Sequence, residues 1–246
     1  MGGFTFAGEH CSTYHLRLLK SPVSLLPATR DRVIVLPGRH GALRLPPDFA
    51  ERNLSLVCWL EARSASELHT RFERLRAWLN PLRGEQKLLF DYVPGRYYLA
   101  TWAGSGLDAE IKARQGLFTL EMVCPDPFSY AAEEKQVAFS AANAVVNNAG
   151  THEALPVFAV SFTTAASEWR VTLGARYLRV VHAFKLGDTL DVDSATGKVL
   201  INGVTALDKL DWQNSEFFAL PPGQSTLGIM PAGVCTATVR FRERWL

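Results

Sequence analysis

Along most of the chain apolar and polar residues alternate with a period of two. In TYHLRLLKS, Tyr14, Leu16 and Leu18 share one side and His15 and Arg17 the other; in NLSLVCWLEA the apolar row is Leu54, Leu56, Cys58 and Leu60. That period sends successive side chains to opposite faces of a strand, so the pattern predicts sheets with one wet face. QKLLFDY and RYYLATWAG flank the turn residues Val93, Pro94 and Gly95 and predict a hairpin. AEIKARQGLFTLEMVC supplies one or two further strands.

One segment departs from this rhythm. In SASELHTRFERLRAWL, residues 64–79, Leu68, Phe72, Leu75 and Leu79 recur at helical spacing and form a single stripe. Ser64 with Glu67 three positions on is a capping box, and Pro81 ends the segment. Arg71, Glu73 and Arg74 fall on the opposite, solvated face. A phosphate clamp built on them needs convergent partners that the sequence does not identify.

The texture changes after residue 131. AAEEKQVAFSAANAVVNNAGTHEALP is rich in Ala, Asn and Gly and offers little to bury, so an exposed connection open to proteolysis is expected between Ala131 and Leu155. From VFAVSFTT onward short strands recur roughly every 8–12 residues, as in a sandwich. The expected architecture is mainly β, with domains at residues 1–135 and 136–246. CPDPFSY, residues 124–130, reads as the close of the first: its prolines stop strand pairing, and Phe128 and Tyr130 anchor the exit.

Composition narrows the function classes. With 48% apolar and 20% charged residues, the chain has material for real cores and is not disordered. Residues 1–135 carry 17 basic and 15 acidic groups and the remainder nine of each, so neither half has the basic bias of a nucleic-acid binder. MGGFTFAGEHCSTYH has no basic region followed by an apolar core, and LSLVCWL is too short to span a bilayer, so a soluble protein made in a cytoplasm is expected, with no membrane insertion.

Candidate chemistry is sparse. Cys11, Cys58, Cys124 and Cys235 are widely spaced with no C-x-x-C pair and read as small buried hydrophobes. HCSTYH gathers His10, Cys11 and His15 at a spacing that could serve zinc, but an early strand with surface histidines is the simpler reading. In LDVDSATGK an EF-hand starting at Asp191 fails at Thr196 and Asn202, and a P-loop fails at Val192; a hairpin turn explains the stretch. No G-x-S-x-G occurs. Trp169, Tyr177 and Trp212 form either a sugar-stacking platform or core aromatics.

Seven ordered stretches carry a resemblance: FTFAG, LPGRHG (36–41), AERNLSLVCWL, PGRYYLATW, CPDPFSY, LGDTLDVDSATGKVLING and FFALPPGQSTLGI. Together they span nearly the whole chain and resemble phage distal tail proteins. The resemblance implies an N-terminal β-sandwich with an extended hairpin and one helix, and a C-terminal galectin-like sandwich. It also implies a homo-hexameric ring at the virion tail tip, joining the tail tube protein to a tail-tip or tail-associated protein and leaving a channel for DNA, with a receptor-binding protein as a further partner. No catalysis, cofactor, metal or sequence-specific nucleic-acid binding is implied. Near-neutral halves suit a lumen through which DNA slides, because each phosphate contact adds retention.

The hairpin DYVPGRYYLATW is the expected ring-forming arm, with Arg96, Tyr97, Tyr98 and Trp102 at the interface. Alternatively those rings fill their own subunit's core. A second function, a carbohydrate-binding adhesin module, rests on Trp169 and Trp212. Against it, sugar-binding galectins use His-x-Asn-x-Arg and Trp-x-x-Glu-x-Arg, whereas here Phe184 stands where Asn is required and Glu216 is out of place.

Overall fold

The structure, a computed structural model, describes residues 2–22, 26–104, 110–112 and 114–246. Met1, Ala109 and Ala113, which belong to stretches read above, lie outside the described residues. The chain divides into two compact units, Met1–Ala132 with Leu246, and Glu133–Trp245. Among the described residues no helix is long and apolar enough to cross a membrane.

The first unit contains β1 (Phe4–Phe6), β2 (Glu9–His10), β3 (Leu16–Lys20), β4 (Thr29–Ile34), β5 (Leu43–Phe49), β6 (Arg52–Glu61), α1 (Ala65–Trp78), β7 (Gln86–Phe90), β8 (Arg96–Trp102), β9 (Glu110–Lys112), β10 (Gln115–Cys124) and β11 (Ser129–Ala131). An antiparallel path runs β2-β1-β7-β8-β10-β6-β3. β8 passes from one leaf to the other: Tyr98 to Ala100 pair with β7, whereas Thr101 and Trp102 pair with β10. The sheet therefore curls around one core. β6 shows why the alternation works, since Leu54, Leu56, Cys58 and Leu60 are all buried while Asn53, Ser55 and Glu61 are exposed.

Helix α1 closes that core with Leu68, Phe72, Leu75 and Trp78, followed by Leu79. Ser64 Oγ accepts from the Glu67 N–H at 3.1 Å, and Glu67 Oε2 accepts from the Arg63 N–H at 2.8 Å, so the capping box forms with its return bond one residue before the cap. Trp78 is the hub of the aromatic packing: its ring stacks on Tyr14 at 4.4 Å, and its Nε1–H donates to the Phe6 carbonyl at 3.1 Å.

The second unit contains β12 (Lys135–Phe139), β13 (Asn143–Asn148), β14 (Val157–Phe162), β15 (Ala166–Leu173), β16 (Arg176–Phe184), β17 (Thr189–Asp193), β18 (Lys198–Ile201), β19 (Val204–Thr205), β20 (Gly223–Met230), β21 (Cys235–Phe241) and β22 (Arg244–Trp245). Two antiparallel sheets, β12-β21-β14-β17-β18-β19 and β13-β20-β15-β16, enclose a core that includes Phe158, Phe162, Trp169, Phe184, Phe218 and Phe241. The turn between β17 and β18 is the hairpin expected from DSATGK: the Asp193 carboxylate accepts from the Ala195 N–H at 2.8 Å and the Thr196 hydroxyl at 2.7 Å.

The chain divides between Ala132 and Glu133, inside the Ala131–Leu155 window, but from Lys135 onward the expected exposed connection is corrected. That stretch supplies β12 and β13, one strand to each sheet of the second unit. Ala144, Val146 and Asn148 are buried in alternation with exposed Asn143, Val145 and Asn147. The inward row is small or polar, which hides the period in the sequence. Asn148 is buried because its amide is satisfied: Nδ2–H groups donate to the carbonyls of His152 and Leu220, each at 3.0 Å, and Oδ1 accepts from the Gly150 N–H at 3.0 Å. At Gly150 a Cβ would lie 2.4 Å from the Arg244 carbonyl oxygen, so this close approach needs glycine.

Candidate assembly interface

The sequence expectation places the arm at residues 91–102. The structure puts β8 inside the sheet, with β7, β10 and β11 paired to it. Tyr97 is only 7% exposed; its ring stacks on Tyr130 at 5.9 Å and carries the Lys87 ammonium at 4.7 Å. Tyr98 is half-buried, edge-on to Phe90 at 6.3 Å with the Arg52 guanidinium 5.7 Å from its centroid. Trp102 packs against the first unit's core, and Arg96 is half-buried at the start of the strand. These aromatic side chains therefore have partners in their own unit.

A different hairpin stands apart from both leaves. β4 and β5 form a separate two-stranded sheet, with Ile34 paired to Leu43, Val33 to Arg44 and Arg32 to Leu45. All six residues of β4 are exposed. Arg30 pairs with Asp48 and Arg32 with Leu45, so Asp31 faces both Pro46 and Pro47 and the ribbon bulges there. The two prolines also withhold N–H donors, which limits further strand addition along β5.

Charge and apolar surface are sorted along this ribbon. Arg44 donates to Asp31 at 2.8 Å, Arg30 to Glu51 at 2.7 Å, and Arg32 to Asp48. The bond to Asp31 raises the Arg44 pKa; the Glu51 carboxyl is held low by its own backbone N–H and then by Arg30. Exposed pairs of this kind contribute little to stability, because solvent screens them and two long side chains must be held in one geometry. What they leave uncompensated is hydrophobic: Val33 at 55%, Val35 at 72% and Leu36 at 44% exposure, with Ile34 and Leu43 also exposed. An isolated two-stranded hairpin is marginal in water, and a row of uncovered apolar side chains at its tip marks a contact surface. Two apolar runs, RVIVL and ALRL, around PGRHG carried a hairpin signal in the sequence.

The other predicted residues separate. Trp169 is 0% exposed and packs on Phe158 at 5.9 Å, so no face of it can stack on a sugar; this corrects its place in a platform with Trp212. Trp212 is 62% exposed, and its Nε1–H donates to the Leu207 carbonyl at 2.9 Å. Of HCSTYH, Cys11 Sγ lies 4.0 Å from His10 Nε2, while His15 caps the turn in the left-handed region. His10 Nδ1 takes the Ser12 hydroxyl at 2.6 Å, its Nε2 meets Asp91 at 3.3 Å, and Cys11 is buried, accepting from the Phe4 N–H at 3.4 Å. Among the described residues no three His, Cys, Asp or Glu side chains gather as metal ligands.

Comparison with known proteins follows the same division of the chain. Residues 9–124 match the family profile "Phage tail protein RIFT-related domain", and residues 149–245 match "Siphovirus-type tail component, C-terminal domain". The distal tail protein of Bacillus phage SPP1 is 29% identical over 157 residues, which is 62% of this chain; the match spans 58% of that relative's length. The crystal structure of the SPP1 Dit protein, described as a paradigm of the hub adsorption apparatus in phages infecting Gram-positive hosts, superposes over 100% of both chains with a TM-score of 0.83. At 18% identity that likeness speaks for the fold alone. A chain of the phage p2 baseplate, in its activated conformation with Ca, aligns over 98% of both chains at 7% identity and a TM-score of 0.47. Two profiles in order, over residues 9–124 and 149–245, place the chain among phage tail-component proteins of the siphovirus type, and the curated relative it resembles is a distal tail protein.

Proposed function

We propose that this protein is a structural hub of the phage tail tip, in which the first units of six copies close into a ring that joins the tail tube to the tip or host-adhesion apparatus. The observation that carries the reading is the β4–β5 hairpin, which belongs to a tail-component domain and presents Val33, Ile34, Val35, Leu36 and Leu43 without cover. A closed cyclic contact buries such a surface on every copy, whereas an open one leaves an end exposed. The ring is held by apolar contact from the hairpin tip, and the paired charges along its stem fix orientation. The role is architectural and involves no bond-making chemistry.

Light scattering and negative-stain imaging over a range of concentrations, with and without the adjacent tail proteins, test this. Six-fold particles support it. A protein that stays monomeric under every condition overturns it. A stable contact requires a total interface near 1,600 Å² or more, so assembly is expected to be concentration-dependent.

A further inference from the structure

The first unit also holds a cleft of about 750 Å³, away from the β4–β5 hairpin in sequence, on which four arginines converge: Arg17, Arg63, Arg71 and Arg114. They come from four places. Arg17 lies on β3 opposite Trp59 of β6, Arg63 precedes α1, Arg71 lies in α1 about two turns beyond the Ser64 cap, and Arg114 immediately precedes β10. The Ala62 N–H donates to the Arg114 carbonyl at 2.9 Å, which ties the β10 end of the cleft to the β6–α1 connection.

Their states differ. Arg71 is held in place, donating to Glu67 Oε1 at 2.6 Å and to the Glu61 carbonyl. Arg17, Arg63 and Arg114 are exposed, and among the described residues their side chains form no hydrogen bond or salt bridge; Arg63 acts on Glu67 only through space. Among the described residues lining the cleft, Glu61 is the one carboxylate. The contrast with the hairpin is direct, because there Arg30, Arg32 and Arg44 each have a carboxylate of their own. The helix N-terminus beside the cleft is not the attraction, since Ser64 and Glu67 already cap it.

We propose that this cleft is a docking site for an acidic peptide segment of another protein, one that carries carboxylates together with an apolar side chain. Guanidinium forks match carboxylates bidentately, and clusters of them are a recurrent means of reading acidic motifs. The apolar requirement comes from half-buried Trp59, which lines the cleft together with Leu16 and Ala62. The volume is in the range that engulfs a short segment rather than one ion. Duplex nucleic acid is a convex rod and cannot enter such a cleft, and the chain has a net charge of only +2 to attract it. A single strand could stack on Trp59, which makes it the control.

The full-length protein is titrated by fluorescence anisotropy with a short labelled peptide of repeating Asp-Leu-Glu. The control probes are the same peptide with Lys for each acid and a labelled oligo-dT. Saturable binding of the acidic peptide alone is expected, weakening as salt rises. The double variant Arg63→Glu/Arg114→Glu should weaken it at least about tenfold, and Arg17→Lys should weaken it less than Arg17→Glu, because charge survives but the fork is lost. All three positions are exposed, so unchanged thermal unfolding of the variants confirms that the fold is intact. The proposal is overturned by an absence of saturation up to about millimolar peptide, by binding that the double variant leaves unchanged, or by oligo-dT binding more tightly than the peptide.

Discussion

The ring of Phe49, the last residue of β5, meets the ring of Phe128 edge-on, with centroids 6.3 Å apart and planes at 87°. The exposed hairpin is thus rooted in CPDPFSY. That turn is itself fixed: Asp126 accepts from the Phe128 N–H at 3.1 Å and from the Tyr130 hydroxyl, and Arg52 Nε donates to the Pro127 carbonyl at 2.8 Å. Replacing Phe128 with Ala removes an aromatic pair worth about 0.5–1.5 kcal/mol beyond its buried area. Faster amide exchange is expected across β4 and β5, with β6 and β10 unchanged. Exchange that rises equally in all four strands would show that Phe128 supports the unit as a whole and not the arm.

The tip and the β8 aromatics make opposite predictions. Leu36→Asp and Val35→Asp change exposed positions, so folding stability should stay within about 0.5 kcal/mol while six-fold assembly is lost. Tyr97→Ala empties a buried site and should reduce stability by about 2–5 kcal/mol, lowering assembly only as far as the unit unfolds. Urea unfolding paired with light scattering separates the two. If Tyr97→Ala folds normally yet abolishes the ring, β8 is the interface and the β4–β5 reading is lost.

Much of the fold was readable because one-sided burial writes a period of two into strands such as β6 and a stripe into α1. The rule weakened where the inward residues were small or polar, as at Ala144 and at Asn148, whose amide donates to the carbonyls of nearby His152 and sequence-distant Leu220. The arm was less readable for a related reason. Aromatic side chains in a hairpin suit an interface and a core equally, and only packing assigns Tyr97 to Tyr130 and Lys87. The exposed arm consists of aliphatic and charged residues whose alternation does not state that one side lacks a cover. Convergence of Arg17, Arg63, Arg71 and Arg114 depends wholly on the fold.

Helix α1 provides a stability test with a defined pH sign. Ser64→Ala should cost about 0.5–2 kcal/mol by orphaning the Glu67 N–H. The Glu67 carboxyl is held below its usual range by the Arg63 backbone N–H first and the Arg71 guanidinium second. Its contribution is therefore present above the ordinary glutamate value of about 4.3 and is lost as pH falls through the lower folded value. Glu67→Gln should remove that part of the acid dependence and leave the neutral-pH profile parallel to wild type. Unfolding midpoints measured across the acid range check this; superimposable acid limbs would contradict it.

All four cysteines are buried and unpaired, and burial raises each thiol pKa, to about 12 for Cys58 and Cys124. The thiolate is the reactive form, so none should react with a thiol-specific reagent at mildly alkaline pH while the protein is folded, and all four should react in denaturant. A folded-state reaction at Cys11 alone would mean that the HCSTYH turn opens locally.

The second unit should not bind galactosides. Trp212 is exposed, but a sugar site needs more than a stacking face. The polar groups near it are already engaged: Arg179 Nε donates to Glu168 at 2.8 Å and its Nη1 reaches Asp211 at 3.5 Å, while the Asn214 amide donates to Asp211 at 3.1 Å. Glu168 also draws the Arg179 pKa upward, which keeps the guanidinium charged and paired. A ligand hydroxyl would have to displace these bonds without a compensating gain. Calorimetric titration with galactosides and host cell-wall glycans should give no saturable heat. Trp212→Ala should leave stability within about 0.5 kcal/mol, whereas Trp169→Ala, which empties the sandwich core, should cost about 3–5 kcal/mol. Saturable binding that disappears in Trp212→Ala would assign the second unit to host-surface recognition.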